Sequence, residues 1–405
     1  MTTTTSPSSS RASTATPWAP TLRTTVFLTI CGILMVGQLY TVLALLEPMS
    51  TSFGVDAETV TWTSTAFALA YAVGFLIFGP LSDRFGTRRI MTVGMAATAA
   101  TTALVAAAPG MEAGVGLRAL QGLTAASLAP AAFSYVAARI APNRRPLVLT
   151  CLTSSFLASA PIMQVGAQGL ARATNWQAVF LTCALLIAVV ALIMPAVLRP
   201  DHTQKVGSVS AAFTAMPALL ANGRLLALFA ATTTLLGGYV AILTAVTIAG
   251  PPAMADDPAT LLVLRASGLP VMIVVPVLMP LLTRLHPHVR IPGGLALAAV
   301  AAWSASLAGH DVLPLAATLM AFVAGILVAA PALVQAIAGI AGHRQGAATA
   351  LYAFAMFVGA SLGPQLAGSL AARGFAGIVQ LVAVVAALGA LVSLAGKKAS
   401  GRANP

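Results

Sequence analysis

The feature that most constrains this chain is a repeated one. Apolar runs of about 20 residues, each long enough to cross a bilayer core as a helix, alternate with short polar or charged breaks. Twelve spans are expected, at roughly 24–47, 59–80, 89–108, 113–138, 147–170, 177–198, 223–249, 260–283, 291–308, 313–338, 346–370 and 375–395. Composition agrees: 59% of residues are hydrophobic and 7% charged, against about a quarter charged in a soluble domain. The expected fold is an all-α membrane protein with twelve transmembrane helices.

The charges orient those helices. A formal net charge of +12 would suggest a nucleic-acid partner in a soluble chain. Here the bases lie in short loops between apolar runs, a pattern that sets membrane topology, so no nucleic acid is expected. With the amino terminus inside, Arg84, Arg88, Arg89, Arg139, Arg144, Arg145, Arg284, Arg290 and Arg344 fall on the cytoplasmic side, and only Arg172 and Arg373 outside. Asp56, Glu58, Glu112, Asp256, Asp257 and Asp311 fall outside. Both termini are therefore expected in the cytoplasm, in a multi-pass protein of the cell membrane. Residues 1–23 read as a disordered tail without the apolar centre of a signal peptide. Cys31, Cys151 and Cys183 sit inside apolar runs, with neither metal spacing nor a disulfide framework, and read as small core residues.

The longest polar interruption, 199–222, divides the spans six and six, and the halves resemble one another. Pro80-Leu81 with Arg84 recurs as Pro280-Leu281 with Arg284. Ala129-Pro130-Ala131 recurs as Ala330-Pro331-Ala332, and Ala160-Pro161 as Gly363-Pro364. The near-constant spacing of about 200 residues implies a parallel repeat. The expected organisation is a tail (1–23), a six-helix bundle (24–198), a cytoplasmic linker (199–222), a second, pseudo-symmetric six-helix bundle (223–396) and a second tail (397–405).

One charged turn stands out between the second and third spans: Gly79-Pro80-Leu81-Ser82-Asp83-Arg84-Phe85-Gly86-Thr87-Arg88-Arg89. Asp83 sits at the carboxyl end of its helix, where the helix dipole opposes a negative charge. It needs a partner elsewhere, either a neighbouring arginine or the amino-terminal end of another helix that starts on the same side.

With these residues in view, the chain resembles the major facilitator superfamily, and within it the twelve-helix drug:proton antiporter branch. The charged turn fits the family's loop pattern at Gly79, Asp83, Arg84, Gly86, Arg88 and Arg89. Leu117-Arg118-Ala119-Leu120-Gln121-Gly122 looks like the branch's second motif, and Trp176 with Phe180 like a family segment opening helix 6. The branch's helix 5 glycine pattern is depleted here: Phe156 to Gly166 keeps Pro161 but loses glycines. The better copy lies in helix 11, at Gly359, Gly363-Pro364 and Gly368. The resemblance implies a secondary transporter with alternating access, a small-molecule substrate, a proton gradient in place of a cofactor, and a monomer. It further implies that Asp83 contacts the start of helix 11, near Gln345-Gly346-Ala347, and latches the cytoplasmic face; the repeat equivalent of Asp83 is Thr283.

An ionisable group inside a membrane is a functional candidate, because a charge there costs about 3 kcal/mol or more. Arg118, Arg265 and Glu47 fall in the outer third of their spans, so Glu47 is the proton-coupling candidate, paired with an arginine across a central cavity. Arg118 has a second reading, a guanidinium bound to helix carbonyls. Gln38, Arg118, Gln121 and Gln164 are the expected cavity residues, because helices 1, 4 and 5 face the cavity in the resembled fold. Tyr40, Trp62, Phe67 and Tyr71 cluster in helices 1 and 2 as a stacking surface or as lipid-facing packing. His286-Pro287-His288 supplies too few ligands for a metal site.

The expected function is proton-driven efflux of small apolar or amphipathic compounds, in the manner of a multidrug antiporter. Import or facilitated passage of an organic, even anionic, solute is the alternative. A receptor would carry a soluble output domain. The spans hold no nucleophile with a base and no metal cluster for an enzyme, and the chain has no phosphate-binding glycine loop for an ATP-driven pump.

Overall fold

The computed structural model describes residues 18–200, 209–250, 260, 263–264, 266–282, 284–308 and 311–398. Arg265 and Thr283, singled out above, lie outside the described residues. Among the described residues every regular element is helical: α1 (Thr21–Thr41), α2 (Leu46–Phe53), α3 (Ala57–Phe85), α4 (Thr87–Ala106), α5 (Met111–Ala125), α6 (Leu128–Arg139), α7 (Arg145–Ala173), α8 (Trp176–Val197), α9 (Val209–Leu220), α10 (Gly223–Ile248), α11 (Leu269–Leu282), α12 (Pro287–Leu307), α13 (Val312–Ala341), α14 (Gln345–Ser369) and α15 (Gly374–Lys398). Asp56, Asn175 and Asn222 cap α3, α8 and α10 by accepting backbone N–H bonds from the first turn.

Ten of the described helical segments are long and apolar enough to cross a membrane, against twelve expected spans. Two runs account for the difference. The 113–138 run is broken into α5 and α6 at Ala126-Ser127. Pro130 explains the break, because it has no N–H to offer the Ala126 carbonyl four residues earlier, and its ring crowds that carbonyl. The 260–283 run is described as a continuous helix only over the 14 residues of α11. A third run departs at its end. Helix 1 stops at Thr41, passes through a 3₁₀ turn at Val42–Ala44 and restarts as α2, with Pro48 acting on the Ala44 carbonyl as Pro130 acts on Ala126. The 199–222 segment contains the helix α9, which touches α3, α10 and α14.

Helix pairing repeats between the halves. α1 packs on α7 as α10 packs on α14, α4 on α8 as α12 on α15, and α3 on α5 as α11 on α13. Between lipid-soluble helices the attraction comes from close packing, so small residues line these seams. On the α10–α14 seam a Cβ at Gly359 would lie 1.9 Å from the Thr233 carbonyl oxygen, and one at Gly363 2.7 Å from that of Gly237. On the matching α1–α7 seam the glycines sit on the other helix. A Cβ at Gly32 would lie 2.4 Å from Ser155 Oγ, and one at Gly37 2.3 Å from Met163 Cγ. The glycines missing from helix 5 are thus supplied by helix 1.

Candidate functional site

Three of the four expected cavity residues meet in one buried polar node. Arg118 and Gln121 are one helical turn apart on α5 and so share a face. The Arg118 guanidinium donates to Gln121 Oε1 at 2.6 Å, to the Gln38 carbonyl at 3.0 Å and to the Thr63 carbonyl at 3.4 Å. Gln121 Nε2 donates to Gln38 Oε1 at 3.1 Å and to Thr102 Oγ at 2.7 Å, and Gln38 Nε2 to the Leu34 carbonyl. The guanidinium also lies over the Phe67 ring at 4.4 Å and near that of Phe180 at 5.9 Å. Arg118, Gln38 and Gln121 are all fully buried. Among the described residues no carboxylate pairs with Arg118, so carbonyl oxygens, amides and aromatic faces hold its charge. The node ties α1, α3, α4 and α5 together inside the first half.

Gln164 stands apart on α7. Its Nε2 donates to the Ala160 carbonyl at 3.2 Å, while its Oε1 is buried with no partner among the described residues. Glu47 is exposed in the first turn of α2, and the structure does not bring it to Arg118. Of the two arginines open to it, Arg118 bonds elsewhere and Arg265 lies outside the described residues. The 24–47 run is not one helix, and the break after Thr41 sets Glu47 in α2 instead of at the end of α1.

The aromatic cluster also divides. Phe67 and Tyr71, four residues apart on α3, stack at 5.8 Å. Tyr40 meets Tyr239 of α10 edge-on at 6.0 Å, and Trp62 points outward, half exposed. Five residues along a helix is a rotation of about 140°, so Trp62 and Phe67 do not share a face.

The contacts that join the two halves run along α3 and α14, which are antiparallel. Gly368 packs on the Glu58 side chain. Gln365 Nε2 donates to Thr61 Oγ at 3.2 Å and to Thr65 Oγ at 3.0 Å, and Thr65 Oγ donates to the Ser361 carbonyl at 2.8 Å. Tyr71 and Phe75 then pack on Phe357, at 4.3 and 5.6 Å. On the neighbouring seam Tyr40 meets Tyr239, and Thr247 Oγ reaches the Leu43 carbonyl at 3.4 Å. These contacts lie from mid-helix to the end that carries Glu47 and Asp56.

At the opposite end the register would set Asp83 against Gln345 and Gly346. Both of these are exposed, and so is Asp83. Its Oδ1 instead accepts a long bond, 3.5 Å, from the Ser134 hydroxyl in its own half. Gly86 makes the sharp turn into α4 with φ of 92°, a conformation open to glycine. Arg84 lies over the Phe85 ring, Arg88 is half-buried and Arg89 is exposed. Gly79 has open space around it.

The sequence profile of the Major Facilitator Superfamily matches residues 27–364, most of the chain. The chain belongs to that superfamily. Its relatives include the multidrug efflux pump LfrA of Mycolicibacterium smegmatis, 34% identical over 143 residues, which are 35% of this chain and 28% of that protein. The tetracenomycin C resistance and export protein of Streptomyces glaucescens is 28% identical over 165 residues, 40% of this chain and 30% of that protein. The lincomycin resistance protein of Streptomyces lincolnensis is 28% identical over 211 residues, 49% of this chain and 42% of that protein. The chain thus matches only about three-tenths of the length of the first two. This superfamily member has, among its described residues, ten helices long and apolar enough to cross a membrane, and its relatives include proteins named for drug efflux and antibiotic resistance.

Sequence reasoning missed Thr102, Thr63 and Phe180 in the node, and Thr61, Thr65 and Ser361 in the seam. For Thr102, Thr61 and Thr65 a hydroxyl in an apolar helix was the available signal, but Thr is common in this chain and most of its hydroxyls bond their own helix, as Thr98 and Thr244 do. Thr63 and Ser361 enter through backbone carbonyls and Phe180 through its ring.

Proposed function

We propose that this transporter exports small apolar or amphipathic organic compounds in exchange for protons. Two pseudo-symmetric six-helix halves, twelve spans in all with both termini in the cytoplasm of the cell, rock about the α3–α14 seam. The observation that carries this reading is the set of contacts between the halves from Glu58–Gly368 to Phe75–Phe357, while at the other end Asp83, Gln345 and Gly346 are exposed and Asp83 accepts from Ser134 of its own half. With both termini in the cytoplasm the joined end would be the outer one, and this arrangement would correspond to the inward-open state of an alternating-access cycle. The relatives' named activities support export.

In this reading Gln38, Arg118 and Gln121 fix the cavity wall, and Gln164, whose buried Oε1 has no partner among the described residues, is the polar group that would turn to substrate when the helices around it move. Asp83 is the latch of the opposite state. When the inner end closes it meets the amino-terminal end of α14, whose partial positive charge favours a carboxylate by up to about 2 kcal/mol. Gly79, Arg84, Gly86, Arg88 and Arg89 shape the turn that delivers it.

The test is transport in inverted vesicles with an imposed pH gradient, using a panel of apolar and amphipathic compounds. Accumulation against the compound's own gradient is expected; equilibration without accumulation would leave a facilitator. Asp83→Asn should insert normally and turn over more slowly, by up to about thirtyfold, the loss expected for a latch of that strength. Unchanged turnover would remove the latch. Glu47→Gln tests the first of the routes for the proton: loss of gradient-driven flux assigns it to Glu47, and full flux leaves it to Asp83 or to the substrate.

A further inference from the structure

A groove of about 350 Å³ opens where the α3–α4 turn meets the end of α8. Its walls are mainly apolar, with Phe85, Val93, Pro195 and Pro200 among them, and Arg88 and Arg89 stand at its rim. Val93 is 61% exposed, and Pro195 and Pro200 are exposed, so the groove opens outward. It lies on the α4–α8 side of the first half, away from the α3–α14 seam. Both helices end here as membrane-spanning segments, α4 beginning at Thr87 and α8 finishing at Val197. The groove therefore sits at the depth where acyl chains give way to headgroups.

Further cations converge on the same place. Arg84 lies over the Phe85 ring, Arg23 donates to the carbonyl of Ala196, and Arg139 to that of Pro200. Among the described residues the acid at this end of the half is Asp83, which faces Ser134. A cleft with apolar walls open to the bilayer and a guanidinium rim matches a ligand with an acyl chain and an anionic head. A soluble anion would leave the apolar walls empty, and a zwitterionic lipid would gain little from the rim.

We propose that this groove binds one anionic phospholipid. Its acyl chain lies along Val93 and Pro195, and its phosphate is held by Arg88 and Arg89. Basic pockets between spans are suited to such headgroups, each arginine contributing about a fivefold gain in affinity. The bound lipid would bridge α4 and the end of α8.

The experiment uses the full chain, purified in detergent, stripped of lipid and incubated with equal amounts of phosphatidylglycerol and phosphatidylcholine. Retained lipid is read by native mass spectrometry. The wild type should hold phosphatidylglycerol in preference, and Arg88→Gln with Arg89→Gln should hold it about 30-fold less tightly. Val93→Trp fills the groove from its lipid-facing side and keeps every arginine, and at a position 61% exposed it is expected to leave the packed core alone; it should lose the same lipid. Equal retention of the two lipids by the wild type, or undiminished phosphatidylglycerol in either variant, would overturn the proposal. Displacement of the lipid by an equal concentration of inorganic phosphate would assign the arginines to a soluble anion and overturn it as well.

Discussion

Arg118→Met should yield a protein that still inserts but unfolds about 2–4 kcal/mol more easily in a detergent denaturation series. The guanidinium is the donor to Gln121 Oε1, and it adds bonds to the Gln38 and Thr63 carbonyls. Methionine fills much of the volume under Phe67 but donates nothing. Gln121 Oε1 is then stranded in a buried site, at a cost of about 1–3 kcal/mol, and the link between α5 and the Gln38 backbone of α1 is lost. Removing a buried charge also relieves its desolvation, which is why the expected loss stops short of the full sum of three bonds. Arg118→Lys keeps the charge, but a single ammonium cannot reach three acceptors set in a planar fork, so it should fall between. Wild-type stability in Arg118→Met, with selective loss of transport of anionic compounds, would move Arg118 from the wall to the substrate.

This node shows how far the sequence could be read. That Arg118 and Gln121 share a face follows from their spacing of three. That Gln38 completes the group, from 80 residues away, follows only from the packing of α1 against α3 and α5. Arg118 was open to two readings, a cavity charge or one bound to carbonyls, and the second is the geometry found. Glu47 opens α2 instead of closing helix 1, because the run 24–47 was read by its hydropathy, while the local chemistry of Pro48 ends the helix early. The broken span at 113–138 had the same legible cause in Pro130. Hydropathy counts residues, whereas proline acts on one carbonyl, and the second effect decides where a side chain points.

The charged turn was legible as a motif and the state of its latch was not. Asp83 does lie at the end of its own helix, where the dipole opposes it, and in the proposed cycle whether it meets α14 or Ser134 depends on which end of the molecule is closed. A single sequence encodes both arrangements. The Gln365 bonds to Thr61 and Thr65 were equally hidden, because they join residues some 300 positions apart and belong to the closed end alone.

In the proposed cycle the glycines of α14 separate the fixed part of the molecule from the moving part, and two substitutions test it. Gly359→Val is expected to abolish assembly, read as loss of the monodisperse peak in size-exclusion chromatography. Its Cβ would lie 1.9 Å from the Thr233 oxygen and 2.7 Å from the Thr233 carbonyl carbon. That atom is backbone of a packed helix, so relief requires α10 and α14 to separate along their length. The usual overpacking cost of about 1–3 kcal/mol is then a lower bound. Gly368, nine residues further on, faces the other half. Its Cβ would meet Glu58 Cγ at 2.8 Å, and Glu58 is a flexible side chain that can turn aside. Gly368→Ala should therefore fold, and its strain falls only on the state in which the Glu58 end is closed. A cost near 1 kcal/mol shifts the balance between the two states about fivefold toward the one in which Asp83 covers the start of α14. A cysteine placed by Gln345→Cys reports that shift, because Gln345 is exposed in the present state and should react about fivefold more slowly with a membrane-impermeant thiol reagent once Gly368→Ala is added. Equal labelling rates would mean that the α3–α14 seam at Gly368 does not change between states, and the rocking axis would then have to lie elsewhere.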